Sequence, residues 1–299
     1  MAARHAGRAA LPPSRTLYSR GVTLVLLVRH GLTAGTGRVL TGRAPGVSLD
    51  DRGREQATAL AARLAAVPLD AIVSSPLERC QETAAAIAAA RAPQGALSGP
   101  SAGAGGPLAV QRDERLVEVS YGDWTGRPLA ELMKEPLWRI VQAHPSAARF
   151  PGADGEDMAA MAHRAVAAIR SWNELLGPRS AYLVCSHGDV IKAIVADALG
   201  MHLDMYQRIQ VDPCSLTAIR YTGTRPFVTM LNATVPDTEC LARSAGAERA
   251  PEEEGVPGSD AVVGGGAGAA ALAGQPVPPV TGAGAGEHDA VVAGRGAGE

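Results

Sequence analysis

Two histidine–glycine pairs in this chain each follow a short apolar run. The triplet Arg-His-Gly at 29–31 comes directly after Val22–Val28, and Ser-His-Gly at 186–188 follows Ala181–Cys185. A lone histidine after an apolar run is more often structural than catalytic, whereas two pairs in this arrangement rarely arise by chance. The glycine after each histidine also lets a ligand approach the backbone closely. The two pairs therefore indicate a binding or catalytic site.

Two arginines accompany these histidines. Arg29 precedes the first one, and Arg79 lies one turn into the segment that follows a third apolar run, Ala71–Val73. Arginine offers a planar fork of donors that matches the oxygens of a phosphoryl dianion. One neutral imidazole can act as the nucleophile and carry the phosphoryl group, while a second donates to the equatorial oxygens. This set predicts phosphoryl transfer that requires no metal and no cofactor, with a protonated carboxylic acid nearby for the leaving oxygen.

The elements that must position these residues alternate between strands and helices. The three apolar runs are typical of strands that are covered on both faces. Helices are predicted at Asp51–Ala66, Pro76–Ala90, Glu156–Leu176 and Asp189–Leu199, and closing strands at Val211–Tyr221 and Pro226–Leu231. The alternation predicts an α/β fold, a single three-layer domain with a mostly parallel central sheet flanked by helices. Ligands of such sheets bind beyond the carboxyl ends of the strands, where the histidines and arginines lie.

Composition predicts the limits of this domain. Residues 1–20 carry four arginines and no acidic residue, which is typical of a flexible extension. Residues 237–299 contain no aromatic residue and include long Gly/Ala runs, so we expect a disordered Gly/Ala/Pro-rich tail. The remaining residues, 21–236, are enough for one domain with a well-buried core.

Charge and cysteine content exclude some classes of protein. The 299 residues carry 28 Lys and Arg against 30 Asp and Glu, a balance that gives no indication of nucleic acid or an anionic membrane. No apolar run approaches the roughly 18 residues of a membrane-spanning helix. The four cysteines are scattered without a Cys-x-x-Cys pair, which favours reduced thiols. We expect a cytoplasmic protein that acts on a small phosphorylated metabolite, with homo-oligomerisation left open.

Four segments of the predicted domain resemble, in the same order, the motifs of the histidine phosphatase superfamily, which has the phosphoglycerate mutase-like fold. They are Leu27–Thr33 (LVRHGLT), Ser74–Ala84 (SSPLERCQETA), Leu116–Gly126 (LVEVSYGDWTG) and Val184–Gly188 (VCSHG). The chain is similar in particular to a bacterial group that carries the label phosphomutase by similarity. None of the motifs falls in either terminal segment.

The resemblance implies a role for each matched position. His30 would be the phosphorylated nucleophile, and Glu118 would be the proton donor. Arg29, Arg79 and His187 would form the phosphate pocket, and His187 would also count among the catalytic residues. Without the motif, Glu118 would be interpreted as a solvated loop carboxylate.

Two positions depart from the family pattern. Leu32 follows the Arg-His-Gly triplet where the family often has glutamate, and Thr36 stands where many members have an asparagine that reaches the phosphate. A threonine hydroxyl can donate a hydrogen bond in place of the amide, so Thr36 is a candidate phosphate ligand. Arg38 and Arg43, on the same loop, are alternatives.

The resemblance also bears on the type of reaction. True mutases of the family hold the substrate carboxylate with a lysine shortly after the Tyr-Gly pair and with two arginines after a tryptophan. Here the corresponding segments read Asp123–Leu129 (DWTGRPL) and Trp138–Ile140 (WRI). We therefore predict phosphomonoester hydrolysis, with a phosphoglycerate mutase-type activity as the alternative. A non-catalytic module that binds a phosphorylated ligand is a third interpretation, favoured by the altered loop and opposed by the presence of His30 and Glu118.

Other classes of phosphate chemistry lack their motifs in this sequence. A cysteine phosphatase needs Cys-x5-Arg, and neither Cys80 nor Cys185 has an arginine at that spacing. There is no GxxxxGK[ST] loop of a P-loop kinase and no HExxH pair of a metallohydrolase.

Overall fold

The computed structural model describes residues 22–91 and 108–234. The predicted extension 1–20, the tail 237–299 and the intervening residues 92–107 lie outside this described part of the chain. Across the two described ranges, no helix has the length and apolar character needed to cross a membrane.

The described residues contain one sheet of six strands, in the order β3-β2-β4-β1-β5-β6. In chain order the strands are β1 Thr23–Arg29, β2 Ala71–Ser74, β3 Val110–Arg112, β4 Ala181–Ser186, β5 Leu216–Tyr221 and β6 Pro226–Ala233. The first four strands pair in parallel, and β5 and β6 are antiparallel. Since β4 lies between β2 and β1, the carboxyl ends of the three strands predicted to carry the site are adjacent.

Helices cover both faces of this sheet. They are α1 Asp51–Leu64, α2 Glu78–Ala89, α3 Leu129–Leu132, α4 Pro136–Ala143, α5 Met158–Leu176 and α6 Gly188–Leu199. Alternate side chains of β1 enter different cores: Leu26 and Val28 pack with α1 and α2, whereas Val25 and Leu27 pack with α5 and α6. Strands that are buried on both faces in this way explain the continuous apolar runs of the sequence.

A side-chain cap and a glycine mark the ends of two of these helices. The Asp50 side chain caps α1 by accepting a hydrogen bond from the Gly53 N–H at 2.7 Å. At the C-terminus of α6, Gly200 adopts the left-handed conformation, with φ of 66°. Helix α6 starts at Gly188, directly after the second histidine.

The predicted α/β fold is confirmed, and each predicted strand and helix is present. One boundary differs clearly: β5 begins at Leu216, not at Val211. Cys214 adopts φ of 53°, and its N–H donates to the Arg29 carbonyl at 3.0 Å. Residues 211–215 therefore fold over the end of β1 instead of extending β5.

Among the described residues, one short strand and two short α-helices were not expected from the sequence. β3 has three residues, α3 has four and α4 has eight. Segments of this length carry too few residues for a periodic apolar pattern to stand out. Their stability comes from packing against the larger elements.

Candidate active site

The carboxyl ends of β1 and β4 bring the two histidines together. Arg29, the last residue of β1, pairs in register with Ser186, the last residue of β4. His30 and His187 follow these residues, and their ring centroids lie 5.3 Å apart with an interplanar angle of 63°. The parallel pairing of the two strands thus places residues from distant parts of the sequence side by side.

Arg79 contacts both histidines from the first turn of α2. Its Nε donates to Nε2 of His30 at 3.2 Å, and its Nη2 lies 3.2 Å from Nδ1 of His187. Nη2 also donates to the Gly42 carbonyl at 2.7 Å. Nη1 is buried and has no hydrogen-bond partner among the described residues. This nitrogen is therefore available to an anion that enters the site.

His30 is held as one neutral tautomer. Its Nδ1 lies 2.7 Å from the carbonyl oxygen of Gly31, which can only accept, so Nδ1 carries the proton. Nε2 then has the free lone pair, consistent with the hydrogen bond that it receives from Arg79. Burial, with the nearby charges of Arg79 and Arg29, holds the pKa of His30 well below its usual value. The imidazole is consequently neutral at physiological pH.

His187 is fully buried behind the same guanidinium group. Its Nε2 lies 2.8 Å from Oγ of Ser75, and because Arg79 can only donate, Nδ1 is the acceptor and Nε2 carries the proton. Burial, reinforced by the charge of Arg79, lowers the pKa of His187 well below its usual value. His187 does not itself line the cavity described below.

A cavity of about 40 Å³ opens at this edge of the sheet. Its lining includes the predicted site residues Arg29, His30, Arg79 and Glu118, which carry charged or titratable groups, as well as the predicted site residue Thr36. The remaining lining residues are uncharged: Thr33, Gly37, Val39, Leu40, Thr41, Gly42, Tyr121 and Leu129. The cavity thus joins two cations, a neutral imidazole and a carboxyl group.

Glu118 is a buried carboxyl group, only 3% exposed. Burial and the Asp189 carboxylate raise its pKa to about 7, against the opposing effects of the Val119 N–H and the two arginine charges. Oε1 of Glu118 accepts from the Val119 N–H at 2.9 Å. A carboxyl group with this pKa can both donate and accept a proton near neutral pH.

The side chain of Arg29, the last residue of β1, is anchored by a backbone carbonyl of a segment distant in sequence. Its Nη1 donates to the Val211 carbonyl at 2.8 Å, and the side chain is 2% exposed while lining the cavity. A buried guanidinium at this position adds positive charge where an anion would lie.

Thr36 lines the cavity, but its hydroxyl already closes a turn. Oγ1 accepts from the Thr33 N–H at 3.0 Å and lies 2.9 Å from Oγ1 of Thr33. The two alternatives on this loop, Arg38 and Arg43, do not line the cavity. Arg38 donates to the Ala34 carbonyl, and Arg43 bonds elsewhere, as described below.

Sequence reasoning did not single out Asp189, which is fully buried beside the site. Its Oδ2 accepts from the Tyr121 hydroxyl at 2.7 Å. The residue follows the second His-Gly pair, where an acidic residue at the start of a helix is ordinary, so its position gave no signal. Among the described residues, no group of three His, Cys, Asp or Glu side chains is arranged to hold a metal ion.

Known proteins match this chain over the described domain. The histidine phosphatase superfamily (branch 1) matches residues 25–234. Phosphoserine phosphatase 1 of Hydrogenobacter thermophilus is 29% identical over 221 residues, which cover 70% of this chain and 92% of that protein. A Yersinia enterocolitica protein named "Probable phosphoglycerate mutase GpmB" is 31% identical over 200 residues, 66% of this chain and 84% of the relative.

Solved structures give the same fold. The alpha-ribazole phosphatase of Shigella flexneri superimposes with a TM-score of 0.57 at 27% identity, covering 70% of this chain and 96% of that one. Mycobacterial glucosyl-3-phosphoglycerate phosphatase superimposes with a TM-score of 0.59 at 23% identity, covering 71% and 100%, and supports the fold alone. The family and the two sequence relatives indicate an enzyme of the phosphatase or mutase type. With the sequence motifs, the sheet order and the family match in agreement, the chain belongs to the histidine phosphatase superfamily, branch 1.

Proposed function

We propose that this protein hydrolyses phosphomonoesters through a phosphohistidine formed on Nε2 of His30. The observation that carries the proposal is the buried Arg79 guanidinium, which is hydrogen bonded to Nε2 of His30 and has Nη1 unpartnered among the described residues. A phosphoryl group bound to Arg79 would lie beside the nucleophile. The family match and the relatives that are named phosphatases support this reaction.

In the first step, the oxygens of the phosphoryl dianion bind Arg29 and Arg79. Nε2 of His30 attacks phosphorus while the bond from phosphorus to the ester oxygen breaks. Glu118 gives its proton to that oxygen, so that the leaving group departs as a neutral alcohol. The pKa of about 7 keeps a substantial fraction of Glu118 protonated at neutral pH.

In the second step, water attacks phosphorus and the bond between nitrogen and phosphorus breaks. The Glu118 carboxylate takes a proton from the water, which restores the acid, and His30 returns to its neutral form. The balance is ester plus water giving alcohol plus inorganic phosphate, with no oxidation or reduction. Because the two arginines supply the positive charge that the phosphoryl oxygens require, we propose that the reaction proceeds without a metal.

His187 is placed to support the phosphate pocket by holding Arg79 in position. Its ring holds Arg79 on one side and hydrogen bonds to Ser75 on the other. A direct contact between His187 and the phosphoryl group stays a prediction from the resemblance.

The cavity favours hydrolysis over a mutase reaction. A mutase must also retain the dephosphorylated substrate until the phosphoryl group returns to it, which requires cations beyond those that bind the phosphoryl group. Among the described lining residues, the only cations are Arg29 and Arg79. Around them lie uncharged side chains such as Val39 and Leu129. A phosphoglycerate mutase-type activity is the second candidate, favoured by the 31% identical Yersinia relative.

The experiment measures inorganic phosphate release from a panel of phosphomonoesters in EDTA, including phosphoserine, a sugar phosphate and phosphoglycerate. We expect release by the wild type and a loss of about 10³-fold or more in His30→Ala. His163→Ala, which removes an exposed histidine of α5, is the matched control. Equal activity in His30→Ala would contradict the assignment of the nucleophile. Isomerisation of phosphoglycerate without phosphate release would favour the mutase, and binding without either reaction would favour the non-catalytic module.

A further inference from the structure

The segment that carries Glu118 has no regular secondary structure. Residues 117–120 lie between two single-turn 3₁₀ helices, Glu114–Leu116 and Gly122–Trp124. Most of this segment is buried, so its carbonyl groups need partners that neither a helix nor a sheet provides. The position of the Glu118 carboxyl group therefore depends on whatever holds this backbone.

Arg164 of α5 supplies several of those partners. Its Nη1 donates to the carbonyls of Arg115 and Val117 at 2.8 and 2.6 Å, and its Nη2 donates to that of Glu118 at 3.2 Å. The side chain is 19% exposed. One guanidinium group thus fastens two carbonyls of the segment, and one of the 3₁₀ helix that precedes it, to a long helix.

Arg43 reaches the same Glu118 carbonyl from the loop between β1 and α1. Its Nε donates to that oxygen at 2.7 Å, and its Nη2 donates to Oε2 of Glu156 at 2.8 Å. Glu156 in turn accepts from Arg164, with Oε1 at 2.7 Å from Nε and Oε2 at 2.9 Å from Nη2. We call Arg43, Glu156 and Arg164 the Glu118 clamp.

The clamp is connected to the phosphate side of the cavity through one peptide unit. Gly42, which precedes Arg43, accepts the hydrogen bond from Nη2 of Arg79 at 2.7 Å. The arginine proposed to bind the phosphoryl group and the clamp that holds Glu118 are therefore attached to adjacent residues. Their spacing is set by one short stretch of chain.

We propose that Arg164 is a positioning residue for proton transfer: with Arg43 and Glu156 it fixes the backbone of Glu118 so that the carboxyl group meets the leaving oxygen. This inference rests on the proposed function, because the position of Glu118 matters only if it protonates that oxygen. A displacement of about 1 Å in a catalytic group can cost on the order of 100-fold in rate. A purely structural role, in which the arginines only satisfy buried carbonyls, makes a different prediction.

The leaving group separates the two roles. Para-nitrophenol departs as a stabilised phenolate that needs little protonation, whereas an alkyl alcohol needs the acid. For Arg164→Met, which keeps the apolar stem, we expect kcat/KM to fall about 100-fold with glycerol phosphate and less than about 3-fold with para-nitrophenyl phosphate. Arg164→Lys, which keeps the charge but not the fork, should recover part of the alkyl ester activity.

Arg170→Met is the matched control, since Arg170 lies on the same helix and pairs with Asp197 at 3.0 Å. This variant should leave kcat/KM unchanged with both esters. Circular dichroism establishes folding, and if Arg164→Met does not fold, Arg164→Lys is judged by the same ratio of the two esters. Equal losses with both esters in the folded variants would overturn the positioning role.

Failure of the proposed function has a different signature. Wild type that hydrolyses neither ester, or His30→Ala that matches wild type, would overturn that function and the positioning role with it. If Glu118→Gln selectively loses activity towards the alkyl ester and Arg164→Met does not, the positioning role alone is overturned.

Discussion

Nε2 of His30 and Nε of Arg79 lie 3.2 Å apart, so the lone pair proposed to attack phosphorus is already hydrogen bonded to the proposed phosphate ligand. The contact has two effects. It adds to the burial that keeps His30 unprotonated, and it orients the ring so that Nε2 points towards the guanidinium group. An incoming phosphoryl group would replace this contact with one to its own oxygens.

The pKa of Glu118 sets the expected pH dependence. Because the free enzyme must hold Glu118 protonated to release an alcohol, kcat/KM for an alkyl phosphate should fall above a pH of about 7. Glu118→Gln should lower kcat/KM by about 100-fold and remove this alkaline limb, since the amide does not titrate. Initial rates between acidic and alkaline pH measure both effects. An alkaline limb that persists in Glu118→Gln would assign the limb to another group.

Asp189 offers an independent test of the cause of that pKa. Its carboxylate contributes to the raised pKa of Glu118, so Asp189→Asn should lower the pKa and move the alkaline limb to lower pH. Asparagine keeps the shape and an oxygen for the Tyr121 hydroxyl, which donates to Asp189 at 2.7 Å. Asp197→Asn, a change at a partly exposed carboxylate of the same helix, is the control. A limb that stays in place or moves to higher pH would contradict this account.

Arg79→Lys should weaken phosphate binding. Lysine has a single ammonium group in place of the guanidinium fork, so it cannot bind an anion while also donating to both His30 and the Gly42 carbonyl. Loss of a buried charged hydrogen bond corresponds to roughly 1.5–3 kcal/mol, so the inhibition constant of inorganic phosphate should rise by about 10- to 150-fold. Arg112→Lys, at an exposed position of β3, should leave it unchanged. An unaltered constant in Arg79→Lys would remove Arg79 from the phosphate site.

The Thr36 hydroxyl is expected to act mainly on its own loop. Thr36→Val removes the bond from the Thr33 N–H and should lower the free energy of unfolding by about 1 kcal/mol, while Thr36→Ser keeps it. Denaturant unfolding measures this difference. The inhibition constant of phosphate should change less than about 3-fold, since the hydroxyl is already engaged. A tenfold weakening in Thr36→Val alone would instead make Thr36 a phosphate ligand.

Gly53 allows α1 to pack against the loop that follows His30. A Cβ at this position would lie 2.1 Å from the Leu32 carbonyl oxygen. Alanine usually stabilises a helix over glycine by roughly 0.5–1 kcal/mol, but Gly53→Ala should destabilise the protein by about 1–3 kcal/mol. Glu55→Ala, at an exposed position of the same helix, is the comparison in thermal unfolding. A more stable Gly53→Ala would show that the loop can move away without cost.

The sequence predicted the parts of the site that lie on regular elements. His30 and His187 follow apolar runs long enough to be recognised as buried strands, and parallel strands end at one edge of a sheet. Glu118 has no such signal, because it lies in an irregular segment, and only the motif resemblance identified it. Its burial depends on contacts that no local pattern encodes.

The Glu118 clamp shows why the rest could not be predicted. The sequence predicts only that Glu156 and Arg164 belong to a helix, where a charged residue is usually solvated; in the structure Glu156 lies just before α5. Their roles arise from the packing of α5 against residues 115–120, which are distant in sequence. The same is true of Asp189, whose effect on the pKa of Glu118 depends on the burial of both carboxyl groups.

The position of β4 between β2 and β1 has a consequence for how the chain folds. Of the three strands, β4 comes last in the sequence, so β1 and β2 cannot reach their final spacing until it inserts between them. Arg79 and His187 are 108 residues apart, and His30 and Arg79 are 49 apart. Contacts between such distant residues form slowly, because long loops must close first. A nascent chain that lacks β4 would therefore hold no assembled site, and the appearance of catalysis during refolding would mark the insertion of this central strand.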